Sequence, residues 1–453
     1  MEEQVLYQKH TKIRPRPVKG KFNNLRITAV IILVGFFHIL PLLTWNGRQA
    51  VLFDLVNRRF FIFGLNIWPQ DFILLSFTLI GLGLILFFST ALFGRIWCGY
   101  ACPHTIYTQI FMWIEQKIQG NRSEQLKLSR LSWNNKEKQK KVGLTLLAWF
   151  VVALISGLGF TGYFTPMKPL LKNFFTFNAT FNNYFWVFAY GGFIYLQAGL
   201  VREQFCKYMC PYARFQGAMF DKDTVIIAYD EKRGEPRRKL KRTDRENNNL
   251  GFCVDCSMCV QVCPTGIDIR KGLQMECIAC AACIDACNNM MRQIKAPEGL
   301  IRYSSSNALA GNKTKFWRPK TFGYALILSL FFTAFLTVII TKSNVDLDVI
   351  ADRNMLSRPI GNGLIQNAFM VKVLNKSEND REFILNTRGI EGAIIENNQS
   401  FKVKSSEVYE LVISIDAPEN KLNGLLTNFY ITISSLDNPN KIKEKKAIFT
   451  GKL

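Results

Sequence analysis

The chain has 453 residues, a hydrophobic content of 49%, 37 Phe and a formal net charge of +23. Gathered on one face, that charge would fit a nucleic-acid binder. Here it sits at the ends of long apolar segments, which excludes that class and points to a polytopic membrane protein with its basic loops on the cytoplasmic side.

Residues 1–26 carry seven Lys or Arg against two Glu, with Pro15 and Pro17, and read as a disordered basic cytoplasmic arm. They have no early apolar core, so no cleavable signal peptide is expected. A membrane domain follows over 27–211. Ile27 to Trp45 is its first span, near the roughly 20 residues a bilayer needs, and Pro41 predicts a kink. An aromatic outer loop, 46–71, carries Phe60, Phe61 and Trp68, and Phe72 to Phe93 is the second span. Arg95 and a first cysteine pair come next, Cys98-Gly-Tyr-Ala-Cys102-Pro103. An amphipathic stretch from Ile106 to Ile118 leads into a loop with eight basic residues between Lys117 and Lys141. Val142 to Phe164 is the third span and 165–183 an outer loop. Tyr184 to Val201 is the fourth span, ending at Arg202 and a second pair, Cys206-Lys-Tyr-Met-Cys210-Pro211.

Residues 212–250 read as a basic cytoplasmic linker with eight Lys or Arg between Lys232 and Arg245. This run is either a solvated topogenic loop or a surface for anionic lipid or an acidic electron donor. Residues 251–292 hold eight cysteines, 293–320 form a Ser-, Asn- and Lys-rich linker, and 321–341 are a fifth span. The tail, 345–453, reads as short alternating strands such as Ala368 to Leu374, Glu410 to Ile415 and Asn428 to Ser434. About seven such strands, none with a Cys, predict an all-β immunoglobulin-like sandwich.

The eight cysteines fall in two runs, Cys253-x2-Cys256-x2-Cys259-x3-Cys263-Pro264 and Cys277-x2-Cys280-x2-Cys283-x3-Cys287. This is the spacing of the bacterial two-cluster ferredoxin. One tight run supplies three thiolates to a cubane and the other run supplies the fourth. Cys253, Cys256, Cys259 and Cys287 are therefore assigned to one 4Fe–4S cluster, and Cys277, Cys280, Cys283 and Cys263 to the other. A disulfide framework does not call for two copies of one spacing, and zinc ribbons pair their elements across longer gaps, often with a His that is missing here. Asn288 replaces the second Pro of the pattern, which touches only the local turn.

The membrane part contains its own repeat. Both pairs read C-x-Y-x-C-P, and each follows a helical hairpin with Arg95 or Arg202 just ahead and an aromatic, Tyr107 or Phe215, just behind. Cysteines at i and i+4 share a helical face, and Pro suits the first turn of a fresh helix. That helix start and the nearby Arg are expected to favour thiolates. Cys98, Cys102, Cys206 and Cys210 are thus a candidate metal or redox site, able to take Cu(I), zinc or an iron cluster, with Met209 as a further soft donor. The competing reading is small residues at tight helix ends, or reduced thiols without metal, and whether the four form one site stays open. Of the three His, His10 belongs to the arm. His38, inside the first span, is expected to be neutral and bonded to a neighbouring helix. His104 is either a fifth ligand or a solvated interfacial residue.

An N-inside start and five spans place the tail in the periplasm and every cysteine on the reducing, cytoplasmic side of a bacterial inner membrane. The expected fold is multidomain: about five transmembrane helices, a bacterial-type two-cluster ferredoxin domain and a C-terminal immunoglobulin-like sandwich.

The order of these parts, with W-C-G-Y-A-C-P at 97–103 and C-x-Y-x-C-P at 206–211, resembles the CcoG, FixG and RdxA family of cytochrome c oxidase accessory proteins over essentially the whole chain. The resemblance implies two 4Fe–4S clusters on the ferredoxin cysteines and a role in maturing cbb(3)-type oxidase. It also implies reduction of Cu(II) to Cu(I) and carries Cys98, Cys102, Cys206 and Cys210 over as the membrane cysteine pairs, where the leading reading has copper reduced. The partners it implies are the lipid bilayer, oxidase subunits or copper-delivery factors, and a cytoplasmic or quinol electron donor. The cysteine pairs are also similar to those of NapH-type membrane ferredoxins. Two alternatives follow: a quinol- or ferredoxin-linked carrier without copper chemistry, and a non-catalytic assembly scaffold.

Overall fold

The computed structural model describes residues 12–68, 71–237 and 251–451, apart from 342, 353–356, 362, 378, 397–398, 406, 423 and 437. His10 and the second half of the basic run, from Arg238 to Arg245, lie outside the described residues. The chain folds as two units. One holds the described residues up to Asp54 with Leu75–Ala334, and the other holds Leu55–Leu74 with the chain from Phe335 onward.

Among the described residues five helices are long and apolar enough to cross a membrane: Lys21–Leu42, Ile73–Phe93, Lys136–Thr161, Phe181–Val201 and Pro319–Ile340. The third and fourth lie backbone to backbone. A Cβ on Gly157 would come within 2.2 Å of the Val187 carbonyl, and one on Gly191 within 2.9 Å of the Ala153 carbonyl. Small residues allow this approach where lipid offers no hydrophobic drive for helices to associate. The fourth helix changes character at its end, from α-helical over Phe181–Ile194 to π-helical over Tyr195–Val201.

Three expectations are corrected. The arm is not free over its described part, because Arg16 N–H donates to the Gln261 carbonyl at 2.8 Å and Arg122 Nε donates to the Arg14 carbonyl at 2.9 Å. The first helix begins at Lys21 rather than Ile27, because Asp285 accepts hydrogen bonds from the Phe22 and Asn23 amides at 3.3 and 2.8 Å. A carboxylate there satisfies amides the helix leaves open and complements its dipole. The two linkers are also not featureless. Strand β1 (Ile226–Tyr229) from one pairs antiparallel with β2 (Ile301–Ser304) from the other, so the cysteine-rich insert is closed by a two-stranded ladder. Ile227, Tyr229 and Ile301 bury against the insert, which is why so short a ladder forms.

From Val345 onward nine strands are described where about seven were expected: β3 (Val345–Ala351), β4 (Arg358–Gly361), β5 (Leu364–Asn375), β6 (Arg381–Arg388), β7 (Ile394–Ile395), β8 (Phe401–Val403), β9 (Val408–Pro418), β10 (Leu426–Ser435) and β11 (Asn438–Thr450). One sheet runs β7-β9-β5-β3 with β4 also on β5, and the other runs β8-β6-β10-β11. Period-two patterning turns Phe369, Val371 and Val373 inward to meet Phe383, Leu385, Phe429, Ile431 and Ile433. Lys376 ties Asp71 to this unit at 3.1 Å, with Asp346 at 3.5 Å.

Candidate iron–sulfur and membrane-cysteine site

The insert builds the same backbone twice. Asp255 and Ser257 in the first run, and Ala279 and Ala281 in the second, all have positive φ, between 49° and 60°. Each run then enters a helix, a single turn at Met258–Gln261 and three turns at Ala282–Gln293. Left-handed residues turn successive amides into a concavity that holds negative charge. The Ala279 and Ala282 amides accordingly donate to the sulfurs of Cys277 and Cys280.

Two hollows result. One is lined by Cys259, Cys263, Cys277, Cys280 and Cys283. The other is lined by Cys253, Cys256, Cys259 and Cys287 with Arg270. Burial pushes the Cys287 thiol up to about 12, reinforced by Cys259, Cys256 and Cys253 close by. Cys259 is raised to about 11 by burial, against the pull of Arg270. Among the described residues no three His, Cys, Asp or Glu converge as they would on a single metal ion. Four thiols spaced around a buried hollow fit a multi-iron body instead, and loading it would release their protons.

The membrane pairs repeat less faithfully. Pro103 and Pro211 open the helices Pro103–Gln119 and Pro211–Met219 as expected, with Cys102 and Cys210 extended just before them. The first pair runs through an α-helical turn, Ile96–Tyr100, and the second through a π-helical one, Phe205–Met209. A π-turn at such a place is a frequent companion of function. The four cysteines lie in one neighbourhood without converging: Cys98 has Cys102 and Cys210 as electrostatic neighbours, Cys206 has Cys102, Cys98 and Cys210, and among the described residues no three of them gather as on one metal ion. The expectation of stabilised thiolates is corrected, since burial pushes Cys98 and Cys206 up to about 12 and outweighs Arg95. Arg95 is instead a structural donor, to the carbonyls of Met275 and Ala213. Cys98 Sγ donates to Gln216 Oε1 at 3.4 Å. Met209 and Phe215 are exposed, whereas Tyr107, the counterpart of Phe215, is buried.

Arg202, singled out in the sequence for its place before the second pair, has neighbours that sequence reasoning did not name: Lys12, Glu115 and Trp149. Arg202, at φ 45°, donates Nη2 to Glu115 Oε2 at 2.9 Å. Lys12 pairs with the same carboxylate, and both cations lie over Trp149, at 5.2 and 5.6 Å from its ring. The two cations hold the Glu115 carboxyl below its ordinary value although burial pushes the other way. His104 is buried, with Nε2 at 2.8 Å from the Arg202 carbonyl and its ring 4.8 Å from Phe205, so it is not solvated. It shares a hollow with Cys206. His38 bonds the Val34 carbonyl of its own helix at 2.8 Å rather than a neighbour.

Insert and membrane pairs meet directly. Cys98 and Cys206 pack against a buried group made of Val262, Ile278, Cys280, Ala282 and Ala286.

Membrane-length helices, cysteine-lined hollows and thiols wedged between them define a membrane-bound iron–sulfur electron-transfer protein. Known families agree with that class. A 4Fe-4S dicluster domain matches residues 201–306, a 4Fe-4S binding domain matches 75–121, and the IG-like fold at the C-terminal of FixG matches 335–452. The chain is 34% identical to protein RdxA of Cereibacter sphaeroides over 98% of each chain, and 37% identical to RdxB of that organism over 83% of this chain and 82% of that one. It is 32% identical to the nitrogen fixation protein FixG of Rhizobium meliloti over 86% of this chain and 81% of that one. The chain belongs to the FixG/RdxA family.

Proposed function

We infer that the protein carries electrons through the insert to the four membrane cysteines and there reduces Cu(II) to Cu(I), serving the assembly of a cbb(3)-type oxidase. The observation that carries this reading is the packing of Cys98 and Cys206 on the Ile278 and Cys280 group. It leaves no room for a separate carrier between insert and thiols.

In this reading Cys253, Cys256, Cys259 and Cys287 hold one 4Fe–4S cluster and Cys263, Cys277, Cys280 and Cys283 the other, as the linings of the two hollows support. The bound clusters supply one-electron storage. The thiols of Cys98, Cys102, Cys206 and Cys210 receive copper as substrate. Soft sulfur donors favour Cu(I), so one electron taken up there lowers the copper to the state these ligands prefer. Binding requires the raised thiols to lose their protons, which Arg95 assists. The basic segments flanking the spans support a cytoplasmic N-terminus and insert and a periplasmic sandwich.

A second reading has one observation in its favour. A 4Fe-4S binding domain matches residues 75–121, which include Cys98 and Cys102, and that supports iron rather than copper at the membrane pairs and a carrier without copper chemistry.

The test is Cu(II) reduction followed with a Cu(I)-specific chelator, comparing wild type with a variant carrying Cys98→Ser, Cys102→Ser, Cys206→Ser and Cys210→Ser. Retained iron with lost copper reduction supports the reductase. Iron lost from the membrane pairs, or copper reduced at the wild-type rate, favours the second reading.

A further inference from the structure

We propose that Gly99 is a positioning residue. It seats the 275–280 loop on the membrane cysteines, and it makes the hollow ringed by Cys263, Cys277, Cys280 and Cys283 the place where electrons leave the insert. The proposal rests on the reading above and adds an order to it: from the hollow at Cys253, Cys256, Cys259 and Cys287, to this one, to the thiols.

Gly99 lies within the helical turn Ile96–Tyr100, between Cys98 and Tyr100. Its backbone is not left-handed, so conformation does not demand glycine. Space does. A Cβ here would lie 2.8 Å from the Ile278 carbonyl oxygen, 2.9 Å from that of Ala279 and 3.0 Å from the Ala279 carbonyl carbon. All three are main-chain atoms and cannot rotate away as the end of a flexible side chain would. The residues flanking this contact are Cys98 on one side and Cys277 and Cys280 on the other.

Three further contacts hold the loop on the turn. Arg95 donates to the Met275 carbonyl. Tyr303 O–H donates to the Ala279 carbonyl at 2.7 Å, and Tyr100 O–H therefore donates to the Tyr303 oxygen at 3.3 Å. Arg95 and Gly99, with Tyr100 acting through Tyr303, thus engage the second cysteine run at Met275, Ile278 and Ala279.

The other hollow has different walls. Beyond its cysteines its lining includes Tyr229, Arg270, Met290, Met291, Leu300 and Ile301; no membrane cysteine lines either hollow, but Cys98 and Cys206 pack against Ile278 and Cys280, which line the first and not this one. Cys259 borders both hollows, so they adjoin each other. That arrangement gives a linear order. The balance is one electron per copper: one electron leaves the site at Cys263, Cys277, Cys280 and Cys283, one Cu(II) becomes Cu(I), and a one-electron donor restores the reduced state from the far side.

The experiment uses the full chain in detergent micelles, as wild type, Gly99→Ala and Tyr303→Phe. Iron content and the EPR spectrum of dithionite-reduced protein report loading. Single-turnover reoxidation by Cu(II) reports transfer. Maleimide labelling of Cys98 in metal-free protein, located by mass spectrometry, reports seating without any cofactor. Gly99→Ala is expected to keep its iron, to slow reoxidation by about tenfold to a hundredfold, a 1 Å misplacement at a reacting centre being able to cost about a hundredfold, and to label faster at Cys98. Tyr303→Phe removes one hydrogen bond without adding bulk, so smaller changes in the same directions are expected. Reoxidation and labelling at wild-type rates in both variants overturn the proposal. Slowed reoxidation with unchanged labelling also overturns it, because the loss would not come from seating. If Gly99→Ala fails to take up iron, Tyr303→Phe and the metal-free labelling decide. A wild type that reduces no copper sinks the reductase reading alone, since the labelling result stands without it.

Discussion

The chain carries two duplicated cysteine motifs, and the duplication survives in one and decays in the other. In the insert, Asp255 and Ala279 share a left-handed backbone, as do Ser257 and Ala281, and each run contributes three thiols to a hollow. In the membrane part only the proline-led helices repeat. The first pair is α-helical and the second π-helical, and Tyr107 is buried where Phe215 is exposed. Tyr100 is hydrogen-bonded to Tyr303, whereas its counterpart Tyr208 is exposed. A motif that must hold the same object twice keeps its geometry. Two motifs that meet at one place have different neighbours and are free to diverge, and Gly99 facing the insert has Lys207 as its counterpart.

The largest effect expected from breaking one half alone is at Glu115. Glu115→Ala leaves Arg202 buried without its carboxylate, and removing one member of a buried pair costs about 3–5 kcal/mol. Thermal unfolding in detergent should show the loss. The insert should keep its iron, because Glu115 contacts none of its cysteines in the interactions described above. Iron falling together with stability would mean that the two regions fold as one unit and that the contrast is overstated.

A smaller effect separates loaded from empty insert. Burial raises Cys259 to about 11 and Cys287 to about 12 from an ordinary 9.0. The folded metal-free state therefore binds more protons than the unfolded one between those values, and its stability falls as pH rises from about 9 toward 12. Below that window the contribution is fully present. Denaturant midpoints of metal-free protein on either side of pH 9 test the sign. Loaded protein, whose thiols are already deprotonated, should show a flatter profile.

Much of this was legible from residues. Long apolar runs predict the five helices because the length of a span is a local property, and thiol spacing proposes the crossed sets because three ligands of a cubane come from one tight run. What escaped was pairing over distance. Nothing near Gly99 announces that the Ile278 carbonyl will lie against it, and Lys12, Glu115 and Arg202 are far apart in the chain. Strands β1 and β2 escaped because four residues are too few for periodicity to show, and they sit among basic and polar neighbours. His104 escaped because solvation and burial leave the same mark on a sequence.

The central claim is the order of the two sites relative to the membrane thiols. It is tested by reducing Cys287→Ser and Cys263→Ser variants with dithionite, removing the excess, and timing their reoxidation by Cu(II). Each variant should keep about half of the iron, because each loses one ligand of one cluster. The account predicts that Cys287→Ser, which keeps the site beside Gly99, reduces copper at close to the wild-type rate, while Cys263→Ser is strongly slowed. Equal rates in the two variants, or a faster Cys263→Ser, would contradict it.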